Sequence, residues 1–190
     1  MNVLLFNGSP RKRGNTEILL NAVAEGVKQA GGSVEVIRLC DLAINPCISC
    51  GSCNKTGKCI QKDDMIALYD KIDAARRMVI GSPIYFYGVT AQAKAFIDRT
   101  QALWCRKYLL KEKGGWPAGA DRKGFFVSVA ATKGSKIFEG AVLTAKYTYD
   151  AVDMDYGGEL LVKGVDKRGE MSQAFDDLQK AEAFGRRLLD

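Results

Sequence analysis

The chain has 190 residues, of which 47% are hydrophobic, and a formal net charge of +6 from 28 Lys and Arg against 22 Asp and Glu. This length suits one domain with one core, so we expect residues 1–190 to form a single domain. No stretch reaches the roughly 20 apolar residues of a membrane span, and scattered charges without a basic arm argue against nucleic acid as a partner.

The residue types present restrict the chemistry further. The sequence contains no histidine, which excludes Ser-His-Asp and Cys-His catalysis and any His-ligated metal. Residues 1–8 lack the basic start and long apolar run of a signal peptide, and we expect a cytoplasmic protein. Six cysteines in that compartment favour metal binding or redox chemistry over structural disulfides.

Apolar strand-like runs alternate with helical patterns along the whole chain. In chain order we predict a strand over residues 3–6, a helix over 16–30, a strand over 34–39, a cysteine-rich insertion over 40–62, a helix over 63–72, a strand over 77–81, a helix over 90–110, a polar surface loop over 111–122, a strand over 124–129, a helix over 138–152, a strand over 158–162 and a helix over 172–188. Five strands and five helices in strict alternation predict an α/β fold with a doubly wound, five-stranded parallel sheet. Ligands of such sheets bind at the carboxyl ends of the strands.

The loop after the first strand has the composition of a phosphate site. Ser9, Asn15 and Thr16 lie with two glycines between a buried strand and a helix start, and Arg11 adds a cation. Small residues let backbone N–H groups approach an anion, and the helix dipole favours it. The loop matches neither the Walker motif nor the dinucleotide fingerprint. A plain tight turn with an N-cap is the alternative.

The loops after the third and fourth strands can complete a ligand cradle. The third-strand loop is Pro83, Ile84, Tyr85, Phe86, Tyr87 and Gly88, and the fourth-strand loop contains Thr132, Lys133 and Gly134. A flat ring could stack on the aromatic loop, so a phosphate loop and an aromatic loop at one sheet edge suggest a mononucleotide with a flat head group. A hydrophobic plug and an ordinary polar turn are the alternatives for these two loops.

The insertion after the second strand contains four closely spaced cysteines. Cys47, Cys50, Cys53 and Cys59 follow the spacing C-x2-C-x2-C-x5-C, and Gly51 and Gly57 leave room for backbone near a metal. Three thiolates at this spacing match the start of a ferredoxin run and a fourth completes the set for a [4Fe–4S] cluster. Structural zinc usually takes two separated C-x2-C pairs; zinc, free thiols and disulfides remain alternatives. Cys40 and Cys105 fit no spacing, and we expect both to be buried.

Two of these stretches resemble the flavodoxin-like NAD(P)H-dependent FMN and quinone reductases. The stretch Asn7-Gly8-Ser9-Pro10-Arg11…Gly14-Asn15-Thr16 is similar to their FMN-phosphate loop. The stretch Ser82-Pro83-Ile84-Tyr85-Phe86…Thr90-Ala91-Gln92…Lys94–Arg99 is similar to their isoalloxazine loop and the following helix. The cysteine block followed by Asp63-Asp64-Met65 resembles the iron–sulfur flavoprotein branch.

The resemblance implies a flavodoxin-like sheet in the order 2-1-3-4-5 and an FMN-dependent oxidoreductase. FMN phosphate would lie on Ser9, Arg11, Asn15 and Thr16, and the ring against residues 83–88 and near residues 132–134. NAD(P)H or a ferredoxin-like carrier would donate electrons to a small acceptor such as a quinone, a flavin or an oxygen species. A homodimer or homotetramer is implied, and the composition of the chain argues against nucleic acid or membrane partners.

Three functions remain open at this point. The first is a flavoprotein that passes electrons between a carrier and an oxidant through FMN and a [4Fe–4S] cluster. The second is an NAD(P)H:FMN or quinone reductase without a cluster. The third is a non-catalytic thiol redox sensor whose cysteine loop reports oxidation to a partner.

Overall fold

A computed structural model of the protein describes residues 1–113 and 121–190. Its strands form one sheet in the order β2-β1-β3-β4-β5, and all neighbouring strands are parallel. The strands are β1 (Asn2–Asn7), β2 (Ser33–Arg38), β3 (Arg77–Pro83), β4 (Lys123–Ala130) and β5 (Asp155–Lys163). The predicted flavodoxin-like order is therefore confirmed, and the carboxyl ends of all five strands lie at one edge.

Helices cover both faces of this sheet. They are α1 (Asn15–Gln29), α2 (Ser52–Thr56), α3 (Met65–Ala74), α4 (Ala91–Arg99), α5 (Gln101–Glu112), α6 (Glu139–Ala151) and α7 (Phe175–Arg187), with short 3-10 turns at Leu39–Asp41 and Glu170–Gln173. Val3 and Leu5 of β1 pack into a buried cluster with α1 and α7, while Leu4 and Phe6 pack into another with α3, α4 and α6. Alternate residues of a strand point to opposite faces, so a continuous apolar run is what a strand covered on both sides requires.

The helices depart from the predicted strict alternation. The helix predicted over residues 90–110 is two helices, because Thr100 separates α4 from α5 and its hydroxyl donates to the carbonyl of Ile97 at 2.7 Å. The cysteine-rich insertion contains α2, a short helix that the sequence did not predict. The last helix begins at Phe175, three residues later than predicted.

The segment after α5 differs from its prediction. The predicted surface loop over 111–122 is wrong at its start, since α5 continues to Glu112, and its residues 114–120 lie outside the described residues. Within the described parts of the chain, no helix is long and apolar enough to cross a membrane.

Candidate cofactor site

The loop after β1 is folded tightly over the sheet edge. Ser9 and Thr16 are 3% and 2% exposed. The Ser9 N–H donates to Asn7 Oδ1 at 2.9 Å, and Ser9 Oγ accepts from the Arg11 N–H at 3.3 Å. The loop therefore places two small hydroxyl residues at the carboxyl end of a buried central strand.

The amino terminus of α1 closes this loop and has no side-chain cap. Its N-cap is Gly14, and a Cβ atom there would lie 3.0 Å from the carbonyl oxygen of Arg11. The first N–H groups of a helix have no partner within the helix, and together with the helix dipole they favour an anion. This terminus is suited to a phosphate.

The Asn15 side chain makes two hydrogen bonds within the chain. Its Nδ2 donates to the carbonyl of Lys167 at 2.9 Å and its Oδ1 accepts from the Met171 N–H at 3.1 Å. The Asn15 side chain thus ties the start of α1 to the segment after β5, and its backbone N–H is the group that the helix terminus offers to a ligand.

The aromatic loop after β3 forms a two-residue hairpin turn. Tyr85 and Gly88 exchange backbone hydrogen bonds of 2.9 and 3.0 Å. Between them, Phe86 and Tyr87 have φ angles of +50° and +62°, the geometry of a type I′ turn. Phe86 is fully exposed at the tip, while Tyr85 and Tyr87 are about half exposed. The turn holds aromatic rings at the sheet edge in a backbone conformation that is unfavourable in free energy for non-glycine residues.

These two loops meet around one cavity of about 170 Å³. Seven predicted residues line it, namely Ser9, Arg11, Asn15, Thr16, Pro83, Ile84 and Tyr85. The cavity also includes residues that the sequence did not indicate: Val129, Ala131, Val165 and Asp166. Val165 and Asp166 follow β5, so the rule that ligands bind at strand carboxyl ends could have identified them.

The remaining predicted residues lie beside the cavity. Phe86, Tyr87 and Gly88 are in the hairpin turn that continues from its wall. Thr132, Lys133 and Gly134 are exposed and are not among its lining residues. A Cβ on Gly134 would lie 3.6 Å from Tyr87 Oη, so the fourth-strand loop meets the aromatic turn instead.

The lining of the cavity is suited to the phosphate of a ligand. Asn7, at the end of β1, is 1% exposed, and its Nδ2 has no hydrogen-bond partner within the described residues. A buried unpaired amide is costly, as are helix N–H groups without a cap. A ligand with phosphate oxygens could satisfy the uncapped N–H groups of α1, whereas Asn7 is not among the residues that line the cavity.

The cysteine insertion is a closed loop at the same sheet edge. At its base the Ala43 N–H donates to Asp64 Oδ2 at 2.7 Å and the Asp64 N–H donates to the Ala43 carbonyl at 3.2 Å. Cys40 precedes the loop and its Sγ donates to the Ser9 carbonyl at 3.3 Å. Cys40 is half-buried, so the prediction that it is buried was wrong: it joins the insertion to the phosphate loop.

The four spaced cysteines line one cavity of about 220 Å³. Opposite them, Asp98, Arg99, Gln101 and Ala102 close it from the junction of α4 and α5. All six cysteines are free thiols. Within residues 1–113 and 121–190, no group of three or more Cys, Asp or Glu side chains is gathered closely enough to hold a metal ion. Four thiols around one cavity are a suitable donor set for a thiolate-bound metal centre. Binding a metal there requires the four sulfurs to move closer together.

A buried ion pair anchors this cavity. Arg99 and Asp63 have side chains 0% and 4% exposed, and Arg99 donates to the two carboxylate oxygens at 2.6 and 3.0 Å. Arg99 also donates to the Asn45 carbonyl at 2.8 Å. Burial would raise the pKa of Asp63, but the hydrogen bonds from Arg99 and the Asn45 N–H outweigh it and hold that pKa below its usual value. Both ends of the insertion are therefore fixed to α4.

Sequence reasoning missed the role of Cys105. It is buried on α5, as predicted, but its Sγ lies 3.7 Å from Cys53 Sγ. Burial and the Cys105 thiol raise the pKa of Cys53 to about 11. No spacing rule could have paired two cysteines that lie on different helices.

Sequence comparisons find a matching family and several relatives. Residues 1–145 match the family described as NADPH-dependent FMN reductase. An iron–sulfur flavoprotein of Methanocaldococcus jannaschii is 39% identical over 125 residues, which are 65% of this chain and 65% of that protein. An iron–sulfur flavoprotein of Archaeoglobus fulgidus is 42% identical over 113 residues, or 60% of this chain and 55% of the relative. The matches thus span less than two thirds of these relatives.

Solved structures support the fold. An NAD(P)H:quinone oxidoreductase from Methanothermobacter marburgensis superposes with a TM-score of 0.73 at 17% identity, over 100% of this chain and 98% of that one. An azoreductase from Bacillus anthracis superposes with a TM-score of 0.66 at 16% identity, over 98% and 99% of the two chains. At this identity the similarity establishes the architecture.

Proposed function

The chain belongs to the NADPH-dependent FMN reductase family, and on that basis we propose that it is an FMN-dependent oxidoreductase with a [4Fe–4S] cluster. It would pass electrons between a reduced donor, NAD(P)H or a ferredoxin-like carrier, and a small acceptor such as a quinone, a flavin or an oxygen species. The observation that carries this proposal is the position of the four-thiol cavity on an insertion tied to the phosphate loop through Cys40 and Ser9.

The residues of the cavity between the loops after β1 and β3 would bind FMN through hydrogen bonds and charge. The Ser9 and Thr16 hydroxyls and the first N–H groups of α1 would hold the phosphate, and Arg11 would add a charge-assisted bond. Residues 83–88 would contact the ring, with residues 132–134 closing beside Tyr87. When bound, FMN exchanges either one or two electrons, which side chains cannot do.

The residues of the cavity lined by the four spaced cysteines would hold the cluster. Cys47, Cys50, Cys53 and Cys59 would supply four thiolates, which is the usual ligand set for [4Fe–4S]. Such a centre supplies single-electron transfer. Arg99, buried beside the four thiols, would offset part of their negative charge.

The proposal is tested by anaerobic purification followed by iron, sulfide and FMN analysis. We expect four irons per chain together with FMN, as the proposed ligand set requires. Cys50→Ala should lose the iron and keep the FMN, and Ser52→Ala, which changes a residue of the insertion that lines neither cavity, should keep both. Flavin without iron or sulfide in the unmodified chain would rule out the cluster.

A cluster-free NAD(P)H:FMN or quinone reductase is the second candidate. The observation in its favour is that, within the described residues, no three metal-binding side chains are already gathered. Steady-state NADPH oxidation with a quinone distinguishes the two: a cluster-free reductase keeps its full rate in Cys50→Ala, whereas electron entry or exit through the cluster predicts a loss. NADPH oxidation by either form would exclude a purely non-catalytic sensor.

We further propose a homodimer or homotetramer in the cytoplasm. Tyr85, Phe86 and Tyr87 together expose an apolar patch at the aromatic turn, which is suited to contact with a second copy. Six cysteines, four of them at a metal-binding spacing, are typical of a reducing compartment. Light scattering of the wild-type chain and of Phe86→Ser would test the assembly.

A further inference from the structure

Cys105 has no part in the proposed cluster, yet it lies against one of the four ligands. Its Sγ is 3.7 Å from Cys53 Sγ and 3.1 Å from Asn54 Oδ1, and Gln101 Nε2 donates to it at 3.4 Å. Cys105 is 3% exposed, whereas Cys53 is half-buried and lines the thiol cavity. An accessible thiol therefore has a shielded thiol within reach.

The packing of α2 on α5 keeps these sulfurs together. Gly57 ends α2 with a φ of +67°, and a Cβ atom there would lie 3.1 Å from the Arg106 Cα of α5. No side chain fits between the two backbones at this point. The separation of Cys53 from Cys105 is consequently set by a close helix contact one turn away.

We propose that Cys53 and Cys105 form a reversible disulfide when a hydroperoxide reaches a chain that carries no metal on Cys53. The Cys53 sulfur attacks the peroxide, the O–O bond breaks, and the Cys53 proton passes to the departing oxygen, so that Cys53 becomes a sulfenic acid while one water, or an alcohol, leaves. The Cys105 sulfur then attacks the Cys53 sulfur, the S–O bond breaks, and the departing hydroxide takes the Cys105 proton as water. Two thiols lose two electrons and two protons, and the peroxide is reduced.

The geometry allows this bond with little movement. The sulfurs must close from 3.7 Å to about 2.05 Å, and Cys53 is the less buried of the two side chains. A dithiol returns both residues to thiols by exchange through a mixed disulfide. The reaction itself needs neither FMN nor a cluster.

The consequence for metal loading rests on the proposed function. Because the disulfide removes Cys53 from the four-thiolate set, a chain holds either this disulfide or a complete cluster. Hydroperoxide would thus convert a chain that has lost its cluster into a form that must be reduced before it is loaded again.

The test is peptide mapping of the metal-free chain after treatment with hydrogen peroxide and alkylation of the remaining thiols. We expect a peptide pair joined through Cys53 and Cys105, lighter by two hydrogens and separated by dithiothreitol. Cys105→Ser should lose the pair, and Cys40→Ser should keep it. A result in which Cys53 pairs with Cys47, Cys50 or Cys59 while Cys105 is fully alkylated would overturn the proposal.

Two glycine variants test the helix contact without removing a sulfur. Gly57→Ala introduces a side chain against α5 and should lower the yield of the pair several-fold. Gly51→Ala is the matched control, since its φ of +73° carries the same backbone strain but its Cβ would meet only Asn54 Nδ2, at 3.8 Å. Equal yields from the two variants would contradict the proposed geometry. Iron loading of the untreated chain is measured separately, so absence of a cluster and absence of the disulfide are distinguishable.

Discussion

Arg99 is a charged side chain with no exposed surface, held by a carboxylate that is almost equally buried. Removing one partner of such a pair leaves an uncompensated charge in the interior. Single substitutions in the pair of Arg99 and Asp63 should therefore reduce the stability of the fold strongly.

We expect Asp63→Ala to lower the free energy of unfolding by about 3–5 kcal/mol, because it leaves the Arg99 guanidinium buried and unpaired. Asp98→Ala is the matched control, since Asp98 pairs with Lys94 on the surface, where the two side chains are 40% and 52% exposed. An exposed helical pair is worth about 0.3–0.5 kcal/mol. Urea unfolding of the metal-free chain measures both, and similar losses would contradict the buried-pair interpretation.

The same pair predicts a pH dependence. Asp63 has its pKa lowered in the folded chain, so its contribution to stability is fully present above the unfolded carboxyl pKa of about 3.9. That contribution is lost as the pH falls through the lower folded pKa. Urea unfolding measured from neutral pH to about pH 3 should therefore show a smaller decline for Asp63→Asn than for the unmodified chain. Parallel declines would show that Asp63 is not linked to folding.

Arg11 provides a residue-level test of the FMN site. Arg11→Ala should weaken FMN binding by about 1.5–3 kcal/mol, the usual contribution of a hydrogen bond to a charged group. Lys12→Ala removes the neighbouring cation, which does not line the cavity, and should have a much smaller effect. Fluorescence titration with FMN compares the two, and equal weakening would mean that Arg11 acts through general charge alone.

The residues that sequence could identify are those whose partners are near in the chain. Ser9, Arg11 and Thr16 come within eight positions and line one cavity, so composition and a helix start were enough to predict them. Asp166 lines the same cavity from the segment after β5, and Cys105 meets Cys53 across 52 positions. Asp166 could have been identified only by its place after a strand end, and nothing local indicates the contact of Cys105, because it comes from long-range packing.

At the scale of elements, the aromatic turn combines strain with exposure. Phe86 and Tyr87 both have positive φ angles, a conformation that costs of order 1–3 kcal/mol for each non-glycine residue. Asn-Gly is the sequence that a type I′ turn favours. The double substitution Phe86→Asn and Tyr87→Gly should raise the free energy of unfolding by about 1 kcal/mol or more and weaken FMN binding. Urea unfolding and FMN titration measure the two effects, and unchanged FMN affinity would remove the turn from the ring site.

The predicted boundaries of the first three elements agree with those in the structure. β1, α1 and β2 begin and end within one residue of their predicted limits. The single helix predicted over residues 90–110 was wrong because apolar periodicity continues across Thr100, where the side chain bonds back to its own preceding turn. Arg99, Gln101 and Ala102, which flank this break, line the thiol cavity.

At the scale of the molecule, the order of the sheet could be predicted because each strand is a short apolar run followed by a helix pattern. Parallel strands joined by helices leave few arrangements, and the resemblance of the phosphate and aromatic loops selected one of them. The internal arrangement of the insertion could not be predicted in the same way. Its contacts depend on Gly57 meeting α5 and on Asp63 meeting Arg99, which no periodic pattern encodes.

The separation of the core from the insertion leads to a prediction for the whole molecule. Within the described residues, the buried hydrophobic clusters contain none of Cys47, Cys50, Cys53 and Cys59. A variant with all four changed to serine should therefore fold and bind FMN with unchanged affinity while holding no iron. Because a ligand that binds only the folded chain stabilises it by about 2.7 kcal/mol at a hundredfold excess over its Kd, FMN should raise the melting temperatures of this variant and of the metal-free parent equally. A smaller rise in the variant would show that the thiol cavity and the FMN site are coupled through the contact between Cys40 and Ser9.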